Sequence, residues 1–228
     1  MCGRFTLRTS PHDLVEIFQL LREPEIAPRY NIAPTQLVLA VRQIDKFREA
    51  SEMRWGLVPS WSKDPKSGPP LINARAETLA RKPAFRTALS KRRCLIPADG
   101  FYEWQQGEAK TKQPFYIQLT KGRVFAFAGL WECWQGADSS AVESCTIVTT
   151  TANSRLAELH ERMPVILHEE DYDRWLDPKA SDPAALQSLL VPYPSEEMTF
   201  RPVSRFVNSA RNDGPSCIET VKDRNLFE

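Results

Sequence analysis

Cys2 is the residue with the greatest chemical potential in this chain, because it directly follows the initiator Met1 in Met-Cys-Gly-Arg-Phe. If Met1 is removed, as is usual before a small second residue, Cys2 carries both a free α-amine and a thiol. An α-amine has a pKa of about 7.7–8.0 and is partly unprotonated at neutral pH. Such an amine condenses with an aldehyde to a Schiff base, and the thiol can then add to the same carbon and close a thiazolidine ring. The alternative interpretation is that Cys2 is simply a small residue at a chain terminus.

Glu103 and His160 are candidates for acid–base chemistry. Glu103 lies within Phe101–Trp104, and aromatic surroundings tend to raise a carboxyl pKa toward neutrality. The alternative is a solvent-facing residue at a strand edge, with Trp104 pointing inward. His160 lies between a helical pattern and a strand pattern, where active-site groups are common, although a lone histidine is more often structural. A zinc-protease motif is excluded because Pro164 occupies the position of its second histidine.

Positive charge is concentrated between residues 75 and 93, which contain seven basic side chains and one acid, Glu77, in a chain of net charge +1. Such a run is usually a solvated face, but a phosphate-binding surface is the other interpretation. Aromatic residues in or beside turns could stack nucleobases, although they more often pack in the core or in loops. The basic residues are Arg75, Arg81, Lys82, Arg86, Lys91, Arg92 and Arg93, and the aromatic ones are Trp55, Trp61, Phe101, Tyr102 and Trp104.

Composition limits the class of protein. The 228 residues are 42% hydrophobic and 26% charged, which predicts a single domain over residues 1–228 with a peripheral tail from about residue 215. Five cysteines without a C-x-x-C pair indicate neither a zinc nor a redox site, so no metal or cofactor is expected. Without a signal peptide or a membrane-spanning apolar run, we expect a cytoplasmic protein with free thiols. Nucleotide-binding glycine motifs are also missing from the sequence.

Hydrophobic periodicity predicts mostly strands with a few helices. Residues 11–21 have helical spacing with Ser10 as N-cap. Because the helices do not alternate regularly with the strands, we expect an α+β fold with a mostly antiparallel, barrel-like sheet. The predicted strands are Leu37–Val41, Met53–Val58, Phe115–Leu119, Val124–Leu130, Cys145–Thr150 and Met163–Leu167, and the further helices are Lys82–Leu89, Ala152–Leu159, Glu169–Leu176 and Pro183–Leu190.

Eight short motifs occur in order along the chain, and together they are far more specific than any one alone. In this order they resemble the SRAP family, the abasic-site processing proteins once described as SOS-response-associated peptidases. The resemblance runs from residue 1 to about residue 214. The motifs are Met-Cys-Gly-Arg-Phe at 1–5, Arg29-Tyr-Asn-Ile-Ala-Pro34, Arg54-Trp-Gly-Leu-Val-Pro59, Ile72-Asn-Ala-Arg-Ala-Glu77, Cys94-Leu-Ile-Pro-Ala-Asp-Gly-Phe-Tyr-Glu-Trp104, Phe127-Ala-Gly-Leu-Trp131, His160-Glu-Arg-Met-Pro164 and Pro202-Val-Ser-Arg205.

The resemblance implies a single α+β domain with a barrel-like β core and peripheral helices. It also implies a protein of the DNA-damage response that binds single-stranded DNA and cross-links itself to abasic sites, shielding them from strand cleavage. The family nucleophile matches Cys2, and the other family site residues match Asn73, Arg75, Glu103 and His160.

From these positions we predict the following roles. Glu103 transfers protons during sugar opening and imine formation, and His160 stabilises the opened sugar oxygen or shuttles protons. Asn73 both donates and accepts hydrogen bonds, which suits orientation of the amine or the sugar. Basic side chains hold phosphates, and aromatic rings stack or wedge beside the missing base. The predicted DNA contacts are Arg4, Trp55, Trp61, Arg75, Arg81, Arg86, Trp104 and Arg162.

Two alternative functions remain open on the sequence alone. One is a Cys2-dependent thiol peptidase or amidohydrolase, since Met-Cys-Gly also begins class II glutamine amidotransferases, although the rest of that pattern is missing from the sequence. A restricted form of this activity is removal of Met1 by the protein itself. The other alternative is a non-covalent single-stranded DNA-binding module. In each case we expect a monomer that does not interact with membranes.

Overall fold

A computed structural model describes residues 2–106, 112–180 and 182–221 of the protein, and within these residues it has thirteen β-strands and four α-helices. The strands are β1 (Phe5–Leu7), β2 (Arg29–Ile32), β3 (Leu37–Ile44), β4 (Phe47–Trp55), β5 (Asn73–Arg75), β6 (Arg93–Ala98), β7 (Gly100–Gln106), β8 (Lys112–Leu119), β9 (Phe125–Gln135), β10 (Ala141–Thr151), β11 (Arg162–Pro164), β12 (Ile166–Leu167) and β13 (Met198–Pro202). The helices are α1 (Pro11–Phe18), α2 (Pro83–Lys91), α3 (Tyr172–Leu176) and α4 (Pro183–Gln187).

Five of the strands close into a barrel. Their order around the barrel is β10, β4, β3, β6 and β9, and β9 pairs with β10 to complete the circle. These contacts are antiparallel except for the short parallel one between β10 and β4. The predicted α+β class with a mostly antiparallel, barrel-like core is therefore confirmed.

The barrel interior is apolar and closely packed. The first six residues of β9 are all buried, as expected for a strand that is covered on both faces. Gly129 allows β9 to approach β6 closely, because a Cβ atom there would lie 2.7 Å from the Cys94 sulfur. Phe5 of β1 packs edge-on against Trp55 and Phe127, with ring centroids 5.2 and 5.7 Å apart. The N-terminal strand is thus anchored to the barrel core.

A second sheet, antiparallel throughout, has the order β13, β8, β7, β1 and β2. Because β1 pairs with β7 in this sheet while Phe5 contacts the barrel, the first residues of the chain lie where the sheet and the barrel meet. The fold therefore places Cys2 inside the molecule rather than at its periphery.

Helix α1 begins as predicted but ends early. The Ser10 side chain accepts a hydrogen bond from the backbone N–H of Asp13 and acts as the N-cap. The helix ends at Phe18 because Gln19 adopts a left-handed conformation with φ 52°. The predicted end at residue 21 was wrong, and Leu21 lies outside the helix with 62% of its surface exposed.

Other predicted elements exist in modified form. The helix predicted over residues 152–159 is only a 3-10 turn at Leu156–Glu158. The strand predicted over residues 163–167 is divided at Val165, since β11 pairs with β10 whereas β12 pairs with β9. Within the described residues, no helix is both long and apolar enough to cross a bilayer.

Buried thiols predict a loss of stability in alkaline solution. Burial raises the pKa of Cys2, Cys94 and Cys145 above the ordinary thiol range. The folded protein therefore keeps these protons at a pH where the unfolded chain loses them. The contribution of these thiols to stability should be constant below about pH 8.5 and then fall by up to about 1.4 kcal/mol per pH unit for each thiol.

Urea unfolding under reducing conditions between pH 7 and pH 10 measures this slope. Cys145→Ala should make the decline shallower by about 1.4 kcal/mol per pH unit. Equal slopes for Cys145→Ala and the unmodified protein would contradict the prediction.

Candidate functional site

Cys2 is enclosed in the protein and held through its own carbonyl group. The pairing of β1 with β7 continues toward the N-terminus, where the backbone N–H of Tyr102 donates to the Arg4 carbonyl at 3.0 Å. Cys2 is fully buried, and its sulfur lies 3.9 Å from that same Arg4 carbonyl oxygen. The Nδ2 atom of Asn73 donates to the Cys2 carbonyl at 2.9 Å. Cys2 therefore occupies a defined position in the interior.

Glu103 is buried on the barrel side of β7. Side chains alternate along a strand, so Glu103 shares a face with Phe101, while Tyr102 and Trp104 lie on the other. Phe101 packs against Phe127 of the barrel, and Glu103 is only 4% exposed. The alternative in which Glu103 faces solvent and Trp104 points inward was wrong, since Trp104 is the partly exposed one.

Burial and Glu103 both act on the Cys2 thiol. Burial is the larger cause that raises the pKa of Cys2, and the negative charge of Glu103 raises this pKa further. The thiol therefore stays protonated in alkaline solution, where an ordinary thiol with a pKa near 8.5 ionises. Its chemistry must start from the neutral S–H form.

β5 carries Asn73 and Arg75 on one face beside Cys2. The strand pairs in parallel with β10, where Asn73 lies opposite Ile147 and Arg75 opposite Thr149. The two side chains share a face because they are two residues apart, with buried Ala74 on the other. The Asn73 Oδ1 atom is buried and accepts no hydrogen bond from the described residues, and Arg75 is exposed. Asn73 thus keeps a free acceptor next to Cys2.

His160 and Arg162 lie on the opposite edge of β10. The backbone N–H of Arg162 donates to His160 Nδ1 at 2.9 Å. The Arg162 guanidinium donates to both carboxylate oxygens of Glu77, at 2.6 and 3.0 Å, and to the Thr149 carbonyl at 2.7 Å. The hydrogen bond from Arg162 lowers the pKa of Glu77. This ion pair crosses β10 and links the His160 segment to the segment after β5.

The basic segment divides into surface and structural residues. Arg92 donates to Glu132 at 2.7 Å, and Arg93 is buried, where it donates to the carbonyls of Leu89, Ser90, Trp175 and Asp177. The phosphate-binding interpretation of the segment therefore does not extend to Arg93, whose guanidinium donates inside the protein, and Arg92 pairs with Glu132. The exposed members are Arg75, Arg81, Lys82, Arg86 and Lys91.

Among the predicted aromatic contacts, Trp55 was wrong because it is a core residue. It is fully buried, and its Nε1 donates to the Ile72 carbonyl at 2.9 Å, so no face of the ring is open to a base. Trp61 is 58% exposed in the loop between β4 and β5 and lines a cavity of about 250 Å³. The partly exposed Trp104 donates to Asn208 Oδ1 at 2.8 Å.

Arg4 has protein partners for its guanidinium. It donates to Asn31 Oδ1 at 2.8 Å and to the carbonyls of Val207 and Asn208 at 2.9 and 3.4 Å. These contacts attach the N-terminal strand to the segment that follows β13. Arg4 therefore holds the N-terminal strand in place, and its predicted phosphate contact competes with these bonds.

The structure thus brings Cys2, Asn73 and Glu103 together, and the His160 segment enters β11 on the other edge of β10, where Arg162 lies opposite Thr151. Residues missed by sequence reasoning are Glu77, which holds Arg162, and Thr149, whose carbonyl does the same. The signal for Glu77 was its position as the single acid within a basic segment. In the part of the chain that the structure describes, no three His, Cys, Asp or Glu side chains are grouped as a metal site requires.

Comparisons with known proteins cover nearly the whole chain. The family model described as SOS response associated peptidase (SRAP) matches residues 1–210. The abasic site processing protein YoqW of Bacillus subtilis is 47% identical over an alignment of 223 positions, and the match covers 96% of this chain and 100% of YoqW. The chicken abasic site processing protein HMCES is 33% identical over an alignment of 234 positions, and the match covers 89% of this chain and 69% of HMCES. A crystal structure of a Bacteroides thetaiotaomicron protein, 25% identical, superposes with a TM-score of 0.86 and covers 97% of this chain and 100% of that one.

Proposed function

Because this chain belongs to the SOS response associated peptidase (SRAP) family, we propose that it processes abasic sites in single-stranded DNA through a covalent bond to Cys2. The observation that carries the proposal is the hydrogen bond from Asn73 to the Cys2 carbonyl, which holds the second residue of the chain beside buried Glu103. The names of the relatives YoqW and HMCES support abasic sites as the target. Met1 lies outside the described residues, and its removal is part of the proposal.

The first step joins the Cys2 amine to the sugar. An abasic deoxyribose opens to an aldehyde at C1′, and the unprotonated amine attacks this carbon. Loss of water then gives a Schiff base. The amine acts first in this scheme because only a Schiff base gives the thiol an imine carbon to which it can add. Holding the reactants together can contribute up to about 7–11 kcal/mol to this step.

The second step closes the ring and protects the strand. The Cys2 sulfur adds to the imine carbon, the thiol proton is transferred, and the imine nitrogen becomes the ring N–H. Aldehyde and aminothiol thus yield a thiazolidine and one water molecule. This consumes the Schiff base, which otherwise acidifies the C2′ protons and promotes β-elimination of the strand. The sulfur therefore converts the Schiff base, which could lead to strand cleavage, into a stable thiazolidine that protects the strand.

Three side chains support these steps. Glu103 is close enough to Cys2 to affect its thiol electrostatically, which suits the transfer of protons during imine formation and ring closure. Asn73 keeps a buried acceptor oxygen for the amine or a sugar hydroxyl. His160 carries its proton on Nε2 when neutral, since Nδ1 accepts from Arg162, so it can donate to the opened sugar oxygen.

Intact mass spectrometry tests the proposal. The purified protein should lack the mass of Met1, whether the protein itself or an aminopeptidase removed it. Incubation with a single-stranded oligonucleotide that contains one abasic site should add the mass of the oligonucleotide minus one water. A protein that retains Met1, or that shows no covalent adduct on a denaturing gel, would contradict the proposal. The second of these results would favour a non-covalent DNA-binding module.

Arg75→Ala should weaken DNA binding and its salt dependence. Arg75 is exposed on the face of β5 that holds Asn73, which suits a phosphate next to the abasic sugar. Hydrogen bonds to charged groups contribute about 1.5–3 kcal/mol, so affinity should fall at least tenfold. One phosphate contact corresponds to a change of about 0.7 in the slope of log K against log salt.

Fluorescence anisotropy with intact single-stranded DNA between 50 and 300 mM salt measures both quantities. The matched control is Arg123→Ala, since Arg123 is also exposed but pairs with Glu197 at 3.2 Å outside the basic segment. An Arg75→Ala protein that binds with the slope of the control would exclude a phosphate contact.

A further inference from the structure

We infer that Glu77 is a positioning residue of this site: its carboxylate fixes Arg162, and Arg162 in turn orients the His160 imidazole. The inference rests on the proposed function for its effect on rate, but its structural part stands on the contacts alone. Glu77 does not touch the Cys2 group directly in any contact of the described residues. It acts through another side chain.

Two groups bind the Arg162 guanidinium, the Glu77 carboxylate and the Thr149 carbonyl, and we call this arrangement the Arg162 clamp. Glu77 binds two guanidinium nitrogens with its two oxygens, and the Thr149 carbonyl binds one of the same nitrogens from β10. The Arg162 side chain is only 10% exposed, whereas that of Glu77 is 46% exposed. A buried guanidinium needs such a counter-charge, and paired N–H···O bonds set its plane as well as its position.

Arg162 contacts both Glu77 and His160, the first through its side chain and the second through its backbone. Its side chain is held by Glu77, and its backbone N–H donates to His160 Nδ1 at 2.9 Å. Strand pairing with Thr151 holds the residue 162 backbone, and anchoring of the side chain adds a second restraint on the residue whose N–H meets His160. An N–H donor at Nδ1 selects the neutral tautomer with the proton on Nε2. Glu77 therefore stabilises the form of His160 that can donate from Nε2.

Charge gives an independent reason to assign Glu77 a role. It is the single acid among seven basic residues between positions 75 and 93. A negative charge on a surface that binds phosphates weakens the attraction between the protein and DNA. A structural contribution of Glu77 would offset this loss of affinity. The hydrogen bond from Arg162 lowers the pKa of Glu77, which keeps the carboxylate ionised in neutral and weakly acidic solution.

Glu77→Gln separates positioning from simple electrostatics. The amide keeps the size and one acceptor but loses the charge. Positioning predicts that the cross-linking rate at saturating abasic DNA falls roughly 10- to 100-fold, with affinity for intact DNA unchanged or higher. In a His160→Ala background, Glu77→Gln should have no further effect on this rate. A saturating rate within twofold of the unmodified protein, or an equal loss in both backgrounds, would overturn the inference.

A second measurement needs no activity. The chain has three histidines, so the ring nitrogens of His160 can be assigned by long-range ¹H–¹⁵N NMR at pH 8.5. The unmodified protein should show His160 protonated on Nε2, and Glu77→Gln should show a mixture of tautomers. A Glu77→Gln spectrum with the unchanged tautomer would overturn the inference even if the rate falls.

The matched control is Glu143→Gln, because Glu143 also binds a partly buried arginine, Arg42, at 2.6 Å, but at the other end of β10. It should match the unmodified protein in rate and in the His160 spectrum, and a similar shift in this control would overturn the specific role of Glu77. If the unmodified protein forms no cross-link, the proposed function fails, whereas the NMR comparison still decides the clamp.

Discussion

Cys2→Ala is expected to abolish the heat-stable adduct with abasic DNA while leaving a free N-terminal amine. Alanine is small, so removal of Met1 continues and the buried position is not overpacked. The N-terminal amine of this variant can still form a Schiff base, but no sulfur is present to close the ring. The variant should therefore be joined to DNA only when borohydride reduces the imine. Denaturing gels after heating, with and without borohydride, measure both outcomes.

Two further variants make this result specific. Cys133→Ala should cross-link at the normal rate, since Cys133 is a partly exposed thiol of β9 with no part in the site. Cys2→Ser should condense but give a labile product, because an oxygen ring reopens more readily than a thiazolidine. A heat-stable adduct from Cys2→Ala without borohydride would rule out the thiazolidine.

Glu103→Gln is expected to slow cross-linking by roughly 10²- to 10³-fold at pH 7, the usual effect of losing a general acid or base. The substitution conserves volume at a position that is 4% exposed. The direction of the change in rate is informative because the Glu103 charge also raises the pKa of the Cys2 thiol. If thiolate supply limited the rate, glutamine would lower that pKa and accelerate the reaction.

Single-turnover kinetics with excess protein give this rate. Glu143→Gln again provides a carboxylate-to-amide control and should react as the unmodified protein does. A Glu103→Gln rate that equals or exceeds the control would show that Glu103 does not transfer a proton. Trapping with borohydride then separates a slow first condensation from a slow ring closure, because only the latter accumulates Schiff base.

Local features of the sequence predicted part of the elements, and β1, β2, β5, β6, β7 and β13 were missed. The Ser10 cap and the apolar spacing after it placed the start of α1 at the right residue, since capping depends on neighbours three positions away. The strands now seen as β3, β8, β9 and β10 each include most of a predicted segment, and β4 includes half of one. The end of α1 and the division between β11 and β12 were not predictable in this way, because they depend on which distant strand each segment meets.

The sequence by itself determined the family, the class of fold and the kinds of chemistry available, because residue types and ordered motifs are local properties of the chain. Only the tertiary structure decided which side chains are open to a ligand and which are not. It placed Trp55 and Arg93 inside the protein, buried the Cys2 thiol, and joined Glu77 to Arg162 across β10. The physical reason is that exposure, pKa and ion pairing arise from contacts between residues far apart in sequence, which closure of the barrel creates.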